Sequence, residues 1–354
     1  MLHPNDSALI DQSQDLPSKG GKSVFPLVSV IISNYNYARF LRQAIASVLN
    51  QSYPHIEIIM VDDGSTDNSQ EIIESYGNLI IPILQPNTGQ ESTVNAGFER
   101  STGDIICFLD ADDYFHPEKL AKIVQGFLEH PEWVQIGHCH TSVDAEDHVI
   151  GRSTSNILSC GNVKNLLLKW GRYASAISSG LACRRSLLEQ VMPLKSGWGI
   201  DTYLNVVAPF YGEVGGLNES LMCYRMHGNN MRAYNDNLDY LIQQREATAH
   251  FINATAAESG VSEQFDIQND ADYRSYQVMQ RGTGSAREGI RIIILSLRES
   301  GAIGRGVGDT LTRLLYRAMG ALFPQQGKQI LRLGLRGYAR FQFARFPFSS
   351  QSRA

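Results

Sequence analysis

Three carboxylates stand within four positions at Asp110-Ala111-Asp112-Asp113. Left unpaired, charges at that spacing repel one another strongly. A hard divalent cation relieves the repulsion, because Mg²⁺ or Mn²⁺ takes oxygen ligands from one or two carboxylates together with the phosphates of a substrate. A D-x-D triplet by itself is more often a solvated turn or a helix cap. Here the apolar run Ile105-Ile106-Cys107-Phe108-Leu109 leads directly into it, so the carboxylates leave the end of a buried strand, and metal binding is the preferred reading. A second acidic pair, Asp62-Asp63, closes another apolar run, with Gly64 permitting a tight turn. His138 and His140 would share one face of a strand, but no further ligands lie near them in sequence, and they are read as structural.

The elements that must hold these residues follow from periodicity. Leu27 to Ser33 is a short β-branched run, read as a buried strand. Phe40, Leu41, Ala44, Ile45, Val48 and Leu49 recur at helical spacing. Ile56 to Val61 is a second strand, and Asp67 or Ser69 starts a helix carrying Ile72 and Ile73. Leu79 to Leu84 is a third strand. A helix through Val94 and Phe98 precedes the fourth strand, Ile105 to Leu109. Strands alternating with helices imply an α/β fold, a doubly wound and mostly parallel sheet. Such sheets bind ligands beyond the carboxyl ends of their strands, where Ser33 to Asn36, Asp62-Asp63 and Asp110 to Asp113 all fall. From about 130 to 232 the pattern is less regular, with strands expected at Val134 to His138 and Leu221 to Met226. Helices are expected near Arg185 to Val191 and Asp201 to Ala208. Beyond 236 the reading is largely helical.

At 354 residues, 43% hydrophobic and 19% charged, the chain can bury a sizeable core. Its five cysteines are scattered without a CxxC pair, which argues against a disulfide framework or a structural zinc and suits a reducing compartment. Met1 to Ser23 is polar, unlike a secretory leader, and no stretch approaches a membrane span. A cytoplasmic location is therefore expected. The net charge of −5 is uneven: residues 281–354 carry twelve Arg and one Lys against two Glu and one Asp, a net +10 against −15 elsewhere. Such a tail suits an anionic surface.

Val28-Ser29-Val30-Ile31-Ile32-Ser33-Asn34-Tyr35-Asn36, Val61-Asp62-Asp63-Gly64-Ser65-Thr66-Asp67 and Leu109-Asp110-Ala111-Asp112-Asp113 with Pro117 occur in that order. Together they resemble the family 2 glycosyltransferases of the GT-A fold. The clear match covers about ninety residues, with looser similarity to about 232. The resemblance implies that Ser33 and Tyr35 contact the nucleotide base and ribose, and that Asp63 accepts from the base. Gln90 and Asn95 fall where the family has a loop and helix beside the nucleotide. Asp110 and Ala111 would lie on the ribose side of the loop, with Asp110 also near the metal and Asp112 the direct metal ligand. Asp201, in Gly199-Ile200-Asp201-Thr202, matches the catalytic base of the family's Glu-Asp pair, with Ile200 replacing the Glu; it also suits the N-cap of its helix. Trp198 just before it suits an acceptor or sugar pocket. Tyr224-Arg225-Met226-His227-Gly228-Asn229-Asn230 resembles a stretch that approaches the diphosphate or metal, which makes His227 a candidate metal ligand.

Three regions are expected: a flexible tail at 1–24, a catalytic domain at 25–235 and a helical, basic extension at 236–354. In the extension, Leu311, Leu314, Leu315, Ala318 and Leu322 line one helical stripe flanked by Arg313 and Arg317. Arg332, Arg336 and Arg340 follow, interleaved with Leu333, Leu335, Tyr338, Phe341, Phe343 and Phe346. A basic, aromatic-rich amphipathic segment suits the membrane interface, here the inner face. The expected function is a metal-dependent inverting glycosyltransferase. It would use a nucleoside-diphosphate sugar, UDP being the expected carrier, and a glycan or lipid-linked acceptor, with no nucleic-acid partner. The alternatives are a degenerate relative that binds sugar nucleotide without turnover, or a nucleotidyltransferase. The latter is disfavoured because Ser33 to Arg39 contains no glycine, which also argues against a dinucleotide fold.

Overall fold

A computed structural model of the chain describes residues 25–152, 157–195, 197–227 and 236–345. The tail 1–24, Gly228-Asn229-Asn230 and Phe346 lie outside the described residues, as do the side chains of Arg336 and Phe343.

The first hundred or so residues alternate as the periodicity predicts: β1 (Val28–Asn34), α1 (Ala38–Leu49), β2 (Ile56–Asp62), α2 (Ser69–Glu74), β3 (Ile81–Leu84), α3 (Gln90–Arg100) and β4 (Ile105–Asp110). β3 begins two residues later than expected because Gly77–Leu79 close a 3₁₀ turn. The middle of the chain adds β5 (Tyr114–Phe115), α4 (Lys119–Glu129), β6 (Trp133–Val143), β7 (Val149–Arg152), α5 (Lys164–Trp170), β8 (Leu181–Arg184), α6 (Arg185–Val191), α7 (Ile200–Val207) and β9 (Glu213–Arg225). Five helices end the described chain: α8 (Leu238–Glu258), α9 (Ala271–Arg281), α10 (Ala286–Ile303), α11 (Val307–Leu322) and α12 (Pro324–Arg345), the last broken at Gly334.

The nine strands form one sheet in the order β3-β2-β1-β4-β8-β6-β9-β5, with β7 on β6. β3, β2, β1 and β4 are parallel. β8 then runs antiparallel to both β4 and β6, and β9 returns parallel to β6. The molecule is thus α/β with a helical C-terminal part, and its parallel half is the part that carries the regular β-α pattern.

Alternation along β1 divides the core. Val28, Val30 and Ile32 pack with Leu41, Ala44, Ile45 and Val48 of α1. Ile31 turns to the other face, toward Val94 of α3 and the apolar sides of α6 and α7. A side chain at Gly97 of α3 would meet Ile31 Cγ2 at 2.5 Å, so only glycine lets the helix lie this close to the strand. Register then sets the strand ends level: Asn34 lies opposite Asp62, and Ser33 opposite Asp110. The polar residues leaving β1, β2 and β4 are brought to one edge.

The C-terminal helices are tied to this body. Ala249, Phe251 and Ile252 of α8 belong to the same apolar cluster as Leu204 of α7. Farther on, packing gives way to charge. Arg172, after α5, donates to Asp272 at 2.6 Å and to both oxygens of Asp270 at 3.0 Å. Arg245 pairs with Asp270, and Arg317 pairs with Asp272 at 2.6 Å and Glu299 at 3.0 Å. Burial alone would raise the Asp272 pKa; Arg317 and Arg172 reverse the sign and hold it well below the usual carboxylate range. This corrects the sequence reading of Arg317. It does not flank a surface stripe but is buried at the centre of an ion-pair network.

Candidate active site

The acidic loop is held from behind by groups distant in sequence. Ala111 is wholly buried, and its N–H donates to the Ser33 carbonyl at 3.0 Å. The Asp110 N–H donates to Ser179 Oγ at 3.0 Å. Arg225 closes the loop: its N–H donates to Asp113 Oδ1 and its Nε to the Asp112 carbonyl, each at 2.9 Å. The guanidinium also lies 4.5 Å from the Phe40 ring and pairs with Asp147 at 2.8 Å. β9 runs antiparallel to β5 and so delivers Arg225 to the loop and, two residues on, His227.

The three carboxylates have different surroundings. Asp110 accepts from Gln90 Nε2 at 2.7 Å and from Ser178 Oγ at 2.6 Å. Burial and the neighbouring Asp112 push its pKa up to about 6. Asp112 Oδ2 accepts from His227 Nε2 across 3.0 Å. Burial raises its pKa, and the His227 hydrogen bond pulls the other way. Asp113 is raised furthest, by burial and then by Asp112 and Asp110; its Oδ2 has no hydrogen-bond partner. His227 is itself framed by Tyr37 and Phe40, with ring centroids 5.5 and 5.4 Å away.

A site that raises three carboxyl pKa values and leaves one buried oxygen unpartnered fits a hard cation. Among the described residues, no three His, Cys, Asp or Glu side chains converge as a ready ligand cluster. His138 and His140 take no part. His138 is buried with its Nδ1 2.8 Å from the Cys139 carbonyl, and burial holds its pKa well below the ordinary value.

The other predicted residues divide. Tyr35 stands exposed at the mouth beyond β1, and Ser33 lies beside Asp110 in register. Asp63 is buried, and the chain's own atoms engage both its oxygens: Gln85 Nε2 at 2.8 Å and the N–H groups of Thr88 and Gly89 at 3.0 and 2.8 Å. It therefore shapes the 85–89 loop. Asp62, whose sequence reading left the turn and the base both open, accepts from Asn34 at 2.7 Å and Ser65 at 2.5 Å. The structure does not bring the Asn95 amide to the acidic loop. It exchanges hydrogen bonds with the Leu194 backbone at 3.2 and 2.7 Å and pins α3 to the segment before α7.

Asp201 is the second residue of α7, and Gly199 occupies the cap position, so the N-cap expectation is corrected. Asp201 lies close enough to Asp110 to add to the upward pressure on its pKa. It lines a cleft of about 680 Å³. Trp198, Thr202 and Asn205 stand on the same wall, and Tyr240, Gln243 and Gln244 of α8 stand on the other. Trp198 is fixed there by stacking on Phe251 at 4.6 Å. Amide and aromatic side chains are the surfaces that meet sugar hydroxyls and sugar rings. Ser178, Ser179 and Lys119, whose Nζ donates to the Ser179 carbonyl at 2.6 Å, carried no sequence signal: each acts across about sixty residues or more.

Comparison with known proteins places the chain in a family. Residues 29–192 match the model of glycosyl transferase family 2. An uncharacterized glycosyltransferase of Nostoc sp. is 38% identical over 284 residues, which covers 76% of this chain and 88% of that protein. Glycosyltransferase GlyA of Streptococcus pneumoniae is 28% identical over 220 residues, covering 56% of this chain and 30% of GlyA. Among solved structures, S. aureus TarS 1–349 in complex with UDP-GlcNAc superposes with a TM-score of 0.52 at 15% identity, covering 90% of this chain and 87% of that one. The fold is therefore of the GT-A type, and the chain belongs to glycosyl transferase family 2.

Proposed function

We propose that this glycosyltransferase is metal-dependent and inverting, and that it moves a sugar from a nucleoside diphosphate, UDP, to a hydroxyl of a glycan or lipid-linked glycan. The observation that carries the reading is the juxtaposition of two sites. Asp110, Asp112 and His227 stand on one side, and Asp201 faces an open, amide-lined cleft on the other. Tyr35 and Ser33 border the first side and suit the base and ribose. That S. aureus TarS binds UDP-GlcNAc supports UDP as the carrier.

In this reading Asp110, Asp112 and His227 would hold Mg²⁺ or Mn²⁺ together with substrate phosphate, and the ion would supply charge neutralisation for the departing diphosphate. Asp201 takes the proton of the acceptor hydroxyl as its oxygen attacks the anomeric carbon. The bond from that carbon to the diphosphate oxygen breaks on the opposite face, so a single displacement inverts the centre. Trp198, Asn205, Tyr240, Gln243 and Gln244 orient the acceptor and limit water. Residues 25–235 form the catalytic domain in this proposal, with α8 adding an acceptor wall. Residues 236–354, beginning with α8, are the helical extension, placed at the inner face of the membrane.

A panel of UDP-sugars, assayed for nucleotide release with Mn²⁺ or Mg²⁺ and with extracted glycan acceptors, tests the reading. Asp112→Ala is expected to abolish metal-dependent UDP binding. Asp201→Asn is expected to bind UDP normally and to stop transfer. Transfer at the wild-type rate by Asp201→Asn would remove that residue as the base.

A further inference from the structure

The turn that carries Asp201 into its helix has no side-chain cap of its own. It is built on Gly197 and Gly199, with φ of 96° and 67°, in the region that glycine adopts without strain. The N–H groups of both glycines donate to one atom, Glu91 Oε1, at 3.1 and 3.0 Å. Between them Trp198 stacks on Phe251. The turn is therefore fixed on one side by a ring and on the other by a carboxylate more than a hundred residues earlier in the chain.

Glu91 is the second residue of α3, and the residue before it, Gln90, donates to Asp110 at 2.7 Å. One helical turn thus grips the donor-side carboxylate with Gln90 and the entry to α7 with Glu91. An acid in the first turn of a helix is favourable there simply through the helix dipole. The dipole does not account for two glycine amides converging on the same oxygen.

We propose that Glu91 is a positioning residue for Asp201: its carboxylate fixes the Gly197-Trp198-Gly199 turn and thereby the direction in which Asp201 faces the donor site. The proposal rests on the reading of Asp201 as the base. Glu91 touches neither the acidic loop nor the nucleotide in this scheme, so its effect falls on turnover and not on donor binding. Misplacing a reacting group by about 1 Å can cost on the order of a hundredfold in rate.

The test compares the full chain with Glu91→Ala, Glu91→Gln and Gly199→Ala. Three readouts are used: amide hydrogen exchange over 197–199, UDP affinity with Mn²⁺, and kcat and KM for the UDP-sugar that the wild-type chain turns over fastest. Glu91→Ala is expected to exchange faster at 197–199 and to lose about ten- to a hundredfold in kcat, with UDP affinity within about twofold. Glu91→Gln keeps an accepting oxygen and is expected to recover most of both losses. Gly199→Ala is expected to reproduce the Glu91→Ala pattern from the other partner. Unchanged exchange in Glu91→Ala overturns the proposal, as does faster exchange with an unchanged kcat. Wild-type turnover by Asp201→Asn would instead sink the base assignment itself, which separates the two failures.

Discussion

Lys119 is wholly buried, with its ammonium 3.3 Å from the centre of the Phe115 ring and bonded to the Ser179 carbonyl. Burial lowers its pKa to about 7, against a partial opposing pull from Cys107 and Asp113. An unfolded chain binds that proton up to an ordinary lysine pKa of about 10.4. Between about pH 7 and 10 the unfolded state therefore holds more protons, and Lys119 makes stability rise with pH. Lys119→Met is expected to flatten that rise in the thermal midpoint measured across pH 7 to 9.5; an unaltered slope would show that the ammonium is not the source. At this scale the sequence was informative where chemistry is local. Asp110, Asp112 and Asp113 are adjacent, and their crowding is visible in the letters. Glu91, Ser178, Ser179 and Lys119 were not legible, because their partners are backbone groups or side chains about sixty to more than a hundred residues away.

Among elements, β1 to β4 and α1 to α3 could be read from β-branched runs and helical spacing, because each buries a continuous face against its neighbours. β9 was found only at its end. Its first half contains Gly215, Gly216, Asn218 and Glu219, which break the apolar pattern, and its register against β6 shifts. Beyond 236 the sequence reads as largely helical, with an apolar stripe marked on α11, but what joins α9 to α11 is largely ionic: among the described residues their shared buried apolar cluster is Ala271, Val278, Ile292 and Ala321, with Leu295 packed against it. Truncating one member of a buried ion pair leaves its partner uncompensated, at about 3–5 kcal/mol. Arg317→Ala is accordingly expected to lower unfolding free energy by about that amount in urea titration, because Asp272 and Glu299 both lose a partner. A loss below about 1 kcal/mol would mean that water reaches the network.

For the whole molecule, no helix among the described residues is long and apolar enough to cross a membrane. A surface contact remains the proposal, and the structure shifts its centre. Ile290, Ile294 and Leu297 on α10 and Val307, Leu311 and Leu315 on α11 are exposed. Arg287, Arg291 and Arg298 of α10 are also exposed. The neighbouring acids are turned inward to other arginines: Glu288 to Arg274, Glu299 to Arg317 and Asp309 to Arg305. Exposed arginine and aliphatic side chains suit an anionic lipid interface. Ending the chain near residue 305 would also remove Arg317, so surface variants are the cleaner probe. Ile294→Ser with Leu311→Ser is expected to reduce flotation with phosphatidylglycerol vesicles while leaving the unfolding midpoint in place; undiminished flotation would rule this face out. The ion-pair network has a further consequence, for descent. Arg172 lies before α6, while Asp270, Asp272 and Glu299 lie about a hundred residues or more beyond it. A gene exchange that replaced only the C-terminal helices would bring the acids with Arg245 and Arg317 but separate them from the native Arg172. The two halves of this chain are therefore expected to travel together through a lineage, and to change at these positions only in step.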